Sequence, residues 1–539
     1  MPTLNWIGKE AVVNHHQQVP FHLLKDVPEL ACGEPGDGNL IVQGDNLVAL
    51  KALLPYYAGQ VKCIYIDPPY NTGNEGWVYN DNVNSPVIRE WLGKVVGKEG
   101  ETLDRHDRWL CMMYPRLALL RQFLREDGAI FISLDDNEIH TLRYAMDEIF
   151  GSTNFITTVL WQKVYSPKNS ARHFSEDHDY IVVYAKNAET WKPNLVPRSE
   201  DQDSAYKNRD NDPRGDWKTS DLSARNPYSE GLYSVVCPSG RVINGPPTGR
   251  FWTISKDKFE ACDTDKRIWW GKTGNSIPQL KRFLSEVKQG VVPQTMWFYG
   301  DVGHTQDAKK ELLQLVEFPD SASVFVTPKP TRLIERILQI ATSPGDLVLD
   351  SFAGSGTTGH AVLKLNRATA DQEPRRFILV EMEAKIAREI TAERVRRVAE
   401  GYENAKGEQV EGLGGGFRYC ELGEPLFDES GKIRDTVSFA DLARHVYFTE
   451  TGEPLPRGRV TKSPFLGECR GVGIYLLYNG ILDDTSAQGG TVLTRAVLAK
   501  LPKFEGQKVI YCAGCLLGKD RLQAERILIR QTPYEIKVS

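Results

Sequence analysis

Along the first two thirds of the chain, short apolar runs rich in β-branched and aromatic residues alternate with stretches of helical spacing. Strands are expected at Lys62 to Ile66, Ala129 to Leu134, Tyr180 to Ala185, Asp346 to Leu349 and Arg376 to Val380. Between the first two, Tyr114 to Leu124 places its apolar residues at helical intervals and runs out near Asp127-Gly128. Such alternation predicts βαβ units and a mostly parallel, doubly wound α/β sheet. The grammar breaks from about Trp191 to Thr295, a stretch rich in Pro, Gly, Asn, Asp and Ser, with Trp217, Trp252, Trp269, Trp270 and Trp297 in or beside it. An inserted, loop-rich module is expected there, with Trp269 and Trp270 read as its core. A second change falls at Gly401 to Gly416, where Glu411-Gly412-Leu413-Gly414-Gly415-Gly416 predicts a flexible joint. Beyond it, Gly473 to Tyr478, Lys508 to Tyr511 and Arg526 to Arg530 read as strands around short helices.

Composition narrows the class. At 539 residues the chain exceeds one ordinary core and is expected to hold about three units. No apolar run approaches membrane-spanning length, and Met1-Pro2-Thr3-Leu4-Asn5-Trp6 lacks the basic and apolar regions of a signal peptide. The expected location is therefore the cytoplasm. Nine scattered cysteines fit reduced thiols better than a disulfide framework. The close pair Cys512 and Cys515 has no second pair or nearby histidines at ligand spacing, so no metal site is expected. The net charge is −5, yet residues 155 to 290 carry 21 Lys and Arg against 17 Asp and Glu. A local excess of this sign suits contact with phosphates, which need a basic surface rather than a basic protein.

Two segments carry chemistry. Asp346 to Asp350 reads as a strand that enters Ser351-Phe352-Ala353-Gly354-Ser355-Gly356-Thr357-Thr358-Gly359 and then a helix beginning near Ala361. A Gly turn lets the backbone approach a ligand closely, and the helix N-terminus offers free N–H donors. Downstream, Arg376 to Glu381 is a strand ending in an acid, the placement that receives ribose hydroxyls in Rossmann-like sites. A nucleoside cofactor is favoured. Gly354, Gly356 and Gly359 also satisfy the dinucleotide spacing, so the turn alone does not separate S-adenosylmethionine from NAD. Asp350 is either an anchor for the amino-acid end of the cofactor or a turn-capping aspartate.

The second segment, Asp67-Pro68-Pro69-Tyr70, follows the first expected strand. Two prolines lock the backbone and cannot donate to a ladder, so a carbonyl can point into a cavity at the strand's end. An exocyclic amino group on a base is a poor nucleophile because its lone pair is delocalised into the ring. Asp67 and the Pro68 carbonyl can accept its two hydrogens, and Tyr70 offers a face on which an extrahelical base stacks. The alternative is an ordinary Pro-Pro turn with Tyr70 in the core. Carbon-5 cytosine chemistry would need a Pro-Cys thiolate; Val236-Cys237-Pro238 has the reverse order.

Taken with Gly44-Asp45-Asn46-Leu47, Asp67 to Gly73, Asp127 to Asp136, His178 to Tyr184, Lys329 to Ile334 and Phe377 to Glu381, these segments resemble β-class DNA amino-methyltransferases. The likeness is strongest to the modification (Mod) subunits of Type III restriction-modification systems, in which the catalytic half precedes target recognition and the cofactor half follows. The resemblance implies a Rossmann-like S-adenosylmethionine-dependent methyltransferase domain, with a catalytic half at 1–190 and a cofactor half at 326–400. It implies a target-recognition module at 191–325 and a smaller α+β C-terminal accessory domain at 417–539. Asp67, Pro68, Pro69 and Tyr70 become catalytic. Asp350, Phe352, Ala353, Gly354, Ser355, Gly356 and Thr357 line the methionine part of the cofactor, Glu381 its ribose, and Asp45 and Asn46 its adenine. Lys329 and Pro330 lead into the cofactor turn. Asp45 also reads as a helix N-cap. An Asp opening the tetrapeptide favours adenine N6 over cytosine N4, with cytosine N4 methylation or an inactive DNA-specificity subunit as alternatives. Implied partners are double-stranded DNA and no membrane, with a homodimer and a nuclease-helicase restriction subunit left open. His173, His178 and His304 are candidates for phosphate contact but read more simply as satisfied or solvent-facing histidines.

Overall fold

Three segments whose charged side chains sit at or next to their ends form the middle of the sheet. In a computed structural model, which describes residues 4–33, 38–72, 93–94, 105–198, 203–288, 290–318, 327–404, 407–430, 432–456, 463–478 and 490–532, Val61–Ile66, Leu347–Asp350 and Arg376–Glu381 are buried almost throughout. Near-continuous Val, Ile and Leu in short strands is the mark of a parallel sheet covered on both faces.

In chain order, the elements that build this region are His22–Asp26 (β1), Leu40–Gln43 (β2), Asn46–Tyr57 (α1), Val61–Ile66 (β3), Arg105–Phe123 (α2), Leu124–Leu134 (β4), Ile139–Phe150 (α3), Phe155–Gln162 (β5), His178–Ala185 (β6), Met296–Trp297 (β7), Thr305–Leu315 (α4), Thr331–Ala341 (α5), Leu347–Asp350 (β8), Thr357–Ala368 (α6), Arg376–Glu381 (β9), Glu393–Glu400 (α7) and Arg418–Pro425 (β10). The ten strands lie in the order β1-β10-β2-β9-β8-β3-β4-β6-β5-β7. From β10 to β4 every pairing is parallel. β6 runs antiparallel to both β4 and β5. The fold is Rossmann-like α/β. From β3 the chain crosses through α2 to β4 on one side, and from β8 through α6 to β9 on the other. The C-terminal ends of β3 and β8 therefore flank a topological switch point, where open α/β sheets form their ligand crevices.

Local departures from expectation have physical causes. Helix α2 begins at Arg105, well before Tyr114, because Trp109, Leu110 and Met113 extend its buried face through Pro115. Strand β4 starts at Leu124, and its register against β3 shifts between Leu124 and Ala129. Asp127 and Gly128, expected as a stop, sit in that bulge, where Lys62 Nζ donates to the Asp127 carbonyl (2.6 Å) and carboxylate (2.9 Å).

The inserted module is narrower than 191–325. Leu195–Pro293 forms one compact unit, while residues 191–194 and 294–318 belong to the other; the 325/326 boundary lies outside the described residues. Within the unit, Ile268–Trp269, Gln279–Phe283 and Trp217–Asp221 make a small antiparallel sheet. Trp252, Trp270 and Cys237 are core residues, and half-buried Trp269 packs on Trp217 at 5.0 Å between ring centroids.

The glycine-rich joint is a correction. Leu413 and Gly414 donate backbone N–H bonds to Val398 and Ala399, and Asn39 Nδ2 donates to the Gly416 carbonyl at 2.8 Å. The segment is pinned because it must deliver β10 into the large sheet beside β2. That strand also corrects the expected 417–539 domain, whose first residues belong to the main sheet. The remainder centres on a four-stranded sheet of Phe465–Cys469, Val472–Leu476, Gln507–Cys512 and Ile527–Gln531. Cys512 is buried there among apolar side chains. Among the described residues, no helix is long and apolar enough to cross a membrane.

Candidate active site

The C-terminal ends of β3 and β8 open on a cavity of about 340 Å³. Asp67, Pro68 and Tyr70 line it from β3, with Asp350, Phe352, Ala353, Gly354, Ser355 and Thr357 from the β8 turn and Lys329 from the approach to α5. Pro69, Asp45, Asn46, Pro330, Gly356 and Glu381 stand outside its lining and act, where they act, through neighbours. Tyr65, Asp135, Lys163, Asp179 and Thr305 are among the other residues of the wall and were not singled out from sequence.

On the β8 side the carboxylates around the Gly turn are hydrogen-bonded, and the unmatched buried atoms, Ser351 Oγ and Arg394 Nε, lie behind the cavity lining. Asp350, 2% exposed, accepts from the Phe352 N–H (3.0 Å) and the Thr358 hydroxyl (2.6 Å). Burial pushes its carboxyl up to about 7. Glu381 accepts from the Gly354 N–H (2.9 Å) and Glu383 N–H (3.0 Å), and burial raises it to about 7 as well. Thr391 Oγ1 donates to the Gly354 carbonyl at 2.6 Å. Gly356 has φ +75°, and a Cβ there would meet the Thr391 carbonyl at 3.0 Å, so the turn tolerates only glycine.

Behind the turn lies Arg394, fully buried on α7. Its guanidinium donates to the hydroxyls of Thr357 (2.9 Å), Ser355 (3.1 Å) and Thr331 (3.0 Å) and pairs with Glu311 at 3.3 Å. Within the run Glu393-Arg394-Val395-Arg396-Arg397, only the apolar spacing of Val395, Val398 and Ala399 hints that Arg394 faces inward.

Asp45 caps α1, accepting from Leu47 N–H (2.9 Å) and Val48 N–H (3.1 Å), and pairs with buried Arg116 at 2.9 Å. Arg116 also bonds Asn46, whose Nδ2 donates to the Ser351 carbonyl at 3.2 Å. The pair thus supports the β8 turn from beneath.

The β3 side is different. Trp109 Nε1 donates to the Pro69 carbonyl at 2.7 Å, fixing the Pro-Pro segment from α2. Asn71 takes left-handed backbone, φ 58°, and its Nδ2 donates to buried Glu138 (2.5 Å) and the Arg105 carbonyl (3.0 Å). His106 Nδ1 meets the same Glu138 oxygen at 2.8 Å. This cluster ends the described part of the motif; Gly73 lies outside it. Asp67 Oδ2 receives Lys329 Nζ at 2.5 Å, while its Oδ1 is buried without a hydrogen-bond partner. Burial raises the Asp67 carboxyl and Lys329 pulls it back. Tyr70 leans on Asp179 (3.5 Å), which is paired with Lys163 at 2.6 Å; burial keeps the Tyr70 hydroxyl protonated.

The histidines are mostly structural. His304 is buried and caps α4 by accepting from the Asp307 N–H at 3.1 Å, His178 packs edge-on against Tyr180, and His173 is exposed.

A Rossmann-like α/β sheet thus carries a Gly turn and an Asp-Pro-Pro-Tyr segment that face one cavity. Residues 61–393 match the family model described as DNA methylase, and the chain belongs to that family. It is similar to the Mod subunit of the Type III restriction-modification enzyme StyLTI of Salmonella typhimurium, at 35% identity over 67% of this chain and 57% of that protein. It is also similar to the Type II methyltransferase M.KpnI of Klebsiella pneumoniae, at 29% identity over 68% of this chain and 89% of that one. Among solved structures, the M1.HpyAVI–SAM complex aligns over 66% of this chain and 98% of that chain, at 15% identity and TM-score 0.31. The chain spans less than two thirds of the length of the Type III relative.

Proposed function

We propose that this protein is a site-specific DNA methyltransferase that transfers a methyl group from S-adenosylmethionine to adenine N6, as the modification component of a restriction-modification system. The observation that carries the reading is Asp67, whose Oδ1 is buried without a partner in the same cavity that Gly354 and Ser355 line. A buried acceptor left unmatched costs free energy unless a ligand satisfies it. A primary amine brought next to the cofactor turn does so.

The residues suit the cofactor. Gly354 and Ser355 bring bare backbone to the cavity wall, Phe352 adds an apolar face, and Asp350 with Glu381 holds the turn in shape. When bound, S-adenosylmethionine supplies an electrophilic methyl group. Asp350, Phe352 and the turn from Ala353 to Thr357 hold its methionine end, with Lys329 and Pro330 shaping the approach. Asp45, Asn46 and Glu381 set the adenine and ribose end through the elements they fix.

On the acceptor side Tyr70 stacks the everted base, and Asp67 with the Pro68 carbonyl accepts the two amine hydrogens. The nitrogen becomes more pyramidal and its lone pair turns toward the methyl group. After transfer Asp67 is the nearest acceptor for the released proton. Pro69 rigidifies the segment. The compact unit Leu195–Pro293 is the target-recognition module of this reading. Double-stranded DNA is the substrate, the cytoplasm the location, and a homodimer and a nuclease-helicase restriction subunit are the protein partners it allows.

Incubating the protein with duplex DNA and methyl-labelled cofactor, followed by nucleoside analysis, tests it. N6-methyladenine is expected; N4-methylcytosine, or unlabelled DNA, overturns the reading.

A further inference from the structure

Lys329 carries more than a place in the approach to α5. Its carbonyl accepts from Thr357 Oγ1 at 3.3 Å, and Pro330 follows as the N-cap of α5, so its backbone is tied to the cofactor turn. Its side chain, 8% exposed, reaches the other way. The ammonium donates to Asp67 Oδ2 at 2.5 Å and lies 5.0 Å from the centroid of the Tyr70 ring. Lys163, the other cation that lines the cavity among the described residues, is held by Asp179.

These are the two groups assigned above to the target base, one for its amine and one for its ring. We propose that Lys329 is an internal stand-in for the acceptor amine, holding Asp67 and facing Tyr70 until an exocyclic amino group displaces it. The idea rests on the methyltransferase reading of the cavity and adds to it an order of events. An ammonium has no lone pair, so the stand-in is itself inert toward an electrophilic methyl group. It keeps Asp67 satisfied on one oxygen and keeps other amines from that place. Base entry is then an exchange: the ammonium leaves Oδ2 and the Tyr70 face as the amine bonds the Asp67 carboxylate, whose Oδ1 is already open to it, and stacking on Tyr70 replaces the cation–π contact.

Removing the charge at nearly constant volume, with Lys329→Met, removes the competitor. Sequencing DNA modified by the wild-type protein first gives the recognition site; absence of any modified adenine at that stage is a failure of the functional reading, not of the stand-in. With 2-aminopurine as the immediate neighbour of an intact target adenine, the fluorescence gained as that adenine leaves the stack on binding Lys329→Met is expected to rise at least about threefold over wild type, because the base-competent fraction grows. Unchanged or weaker fluorescence overturns the proposal. A structure of the wild-type protein with the cognate duplex and S-adenosylhomocysteine, which has no N–H donor at the position of the transferred methyl, decides the matter whether or not the variant folds. Nζ is expected to have left hydrogen-bond distance of Asp67 Oδ2, and an ammonium still bonded there beside a docked base refutes it.

Discussion

The two walls of the cavity are built on opposite principles. On the β8 wall, Asp350, Glu381, Thr391 and Arg394 each bond the Gly turn or its flanks, and the buried atoms left unmatched, Ser351 Oγ and Arg394 Nε, belong to residues outside the cavity lining. On the β3 wall, the central carboxylate keeps one buried oxygen unmatched and shares the other with a lysine from a distant segment. A saturated network is rigid and specific, since breaking any member strands its partners. An unsatisfied one is primed for a ligand. The first wall suits holding a cofactor in one pose, and the second suits changing partners during a reaction.

The widest separation between the walls comes from Asp67→Ala. Turnover is expected to fall by on the order of 10³-fold or more, while cofactor affinity measured by calorimetry stays near wild type. Loss of both together would show that the walls are not separable. Arg394→Met tests the other wall. Removing a buried guanidinium leaves the hydroxyls of Thr331, Ser355 and Thr357 without their donor, at a cost of about 3 kcal/mol in urea unfolding. Cofactor affinity is expected to fall with stability. Arg394→Lys should not restore either, because one ammonium cannot reach both ends of the fork.

The walls also differ in how far the chain alone announced them. Hydrophobic spacing disclosed β3, β8, β9 and the segment that became β6, because strands buried on both faces are written as uninterrupted apolar runs. Asp67, Tyr70 and the Gly turn were legible from backbone chemistry: prolines and glycines at fixed offsets leave few conformations. Arg394 was not, since a charged residue in a charged helix segment looks solvated until a neighbouring turn demands donors. The Asn71–Glu138–His106 cluster and the Lys163–Asp179 pair were hidden for another reason. Their members meet only through tertiary pairing, across β5, β6 and the start of α2. The pinned glycine segment misled because composition reports freedom in the isolated chain, while hydrogen bonds to Val398 and Ala399 remove it.

Acidity sharpens the contrast at smaller cost. Glu381 is raised to about 7 by burial, against about 4.3 in an unfolded chain. Between those values the folded protein binds the proton that the unfolded chain releases. This contribution to stability is thus full below pH 4 and is lost as pH rises through 7. Glu381→Gln removes the titration. Its unfolding free energy relative to wild type is expected to improve by about 2 kcal/mol between pH 5 and pH 8, superimposed on a constant penalty for the altered bond to Gly354. A flat difference across that range would mean that Glu381 is ionised throughout and that the turn rests on a charged acceptor.

The smallest expected effect probes whether the β3 wall owes its shape to a single bond. Trp109 Nε1 holds the Pro69 carbonyl from a fully buried position on α2, while two residues further on Asn71 is bonded to Arg105 at the start of the same helix. Trp109→Phe keeps an aromatic body and deletes the donor, at a cost of about 1 kcal/mol. If the bond sets where Asp67 and the Pro68 carbonyl point, part of that cost appears in the transition state. kcat is then expected to drop about threefold to fivefold, while KM for DNA and cofactor affinity hold. If kcat holds and only the melting temperature falls, the two prolines fix the segment by themselves. The bond would then serve packing alone, and the β3 wall would prove stiffer than its unmatched oxygen suggests.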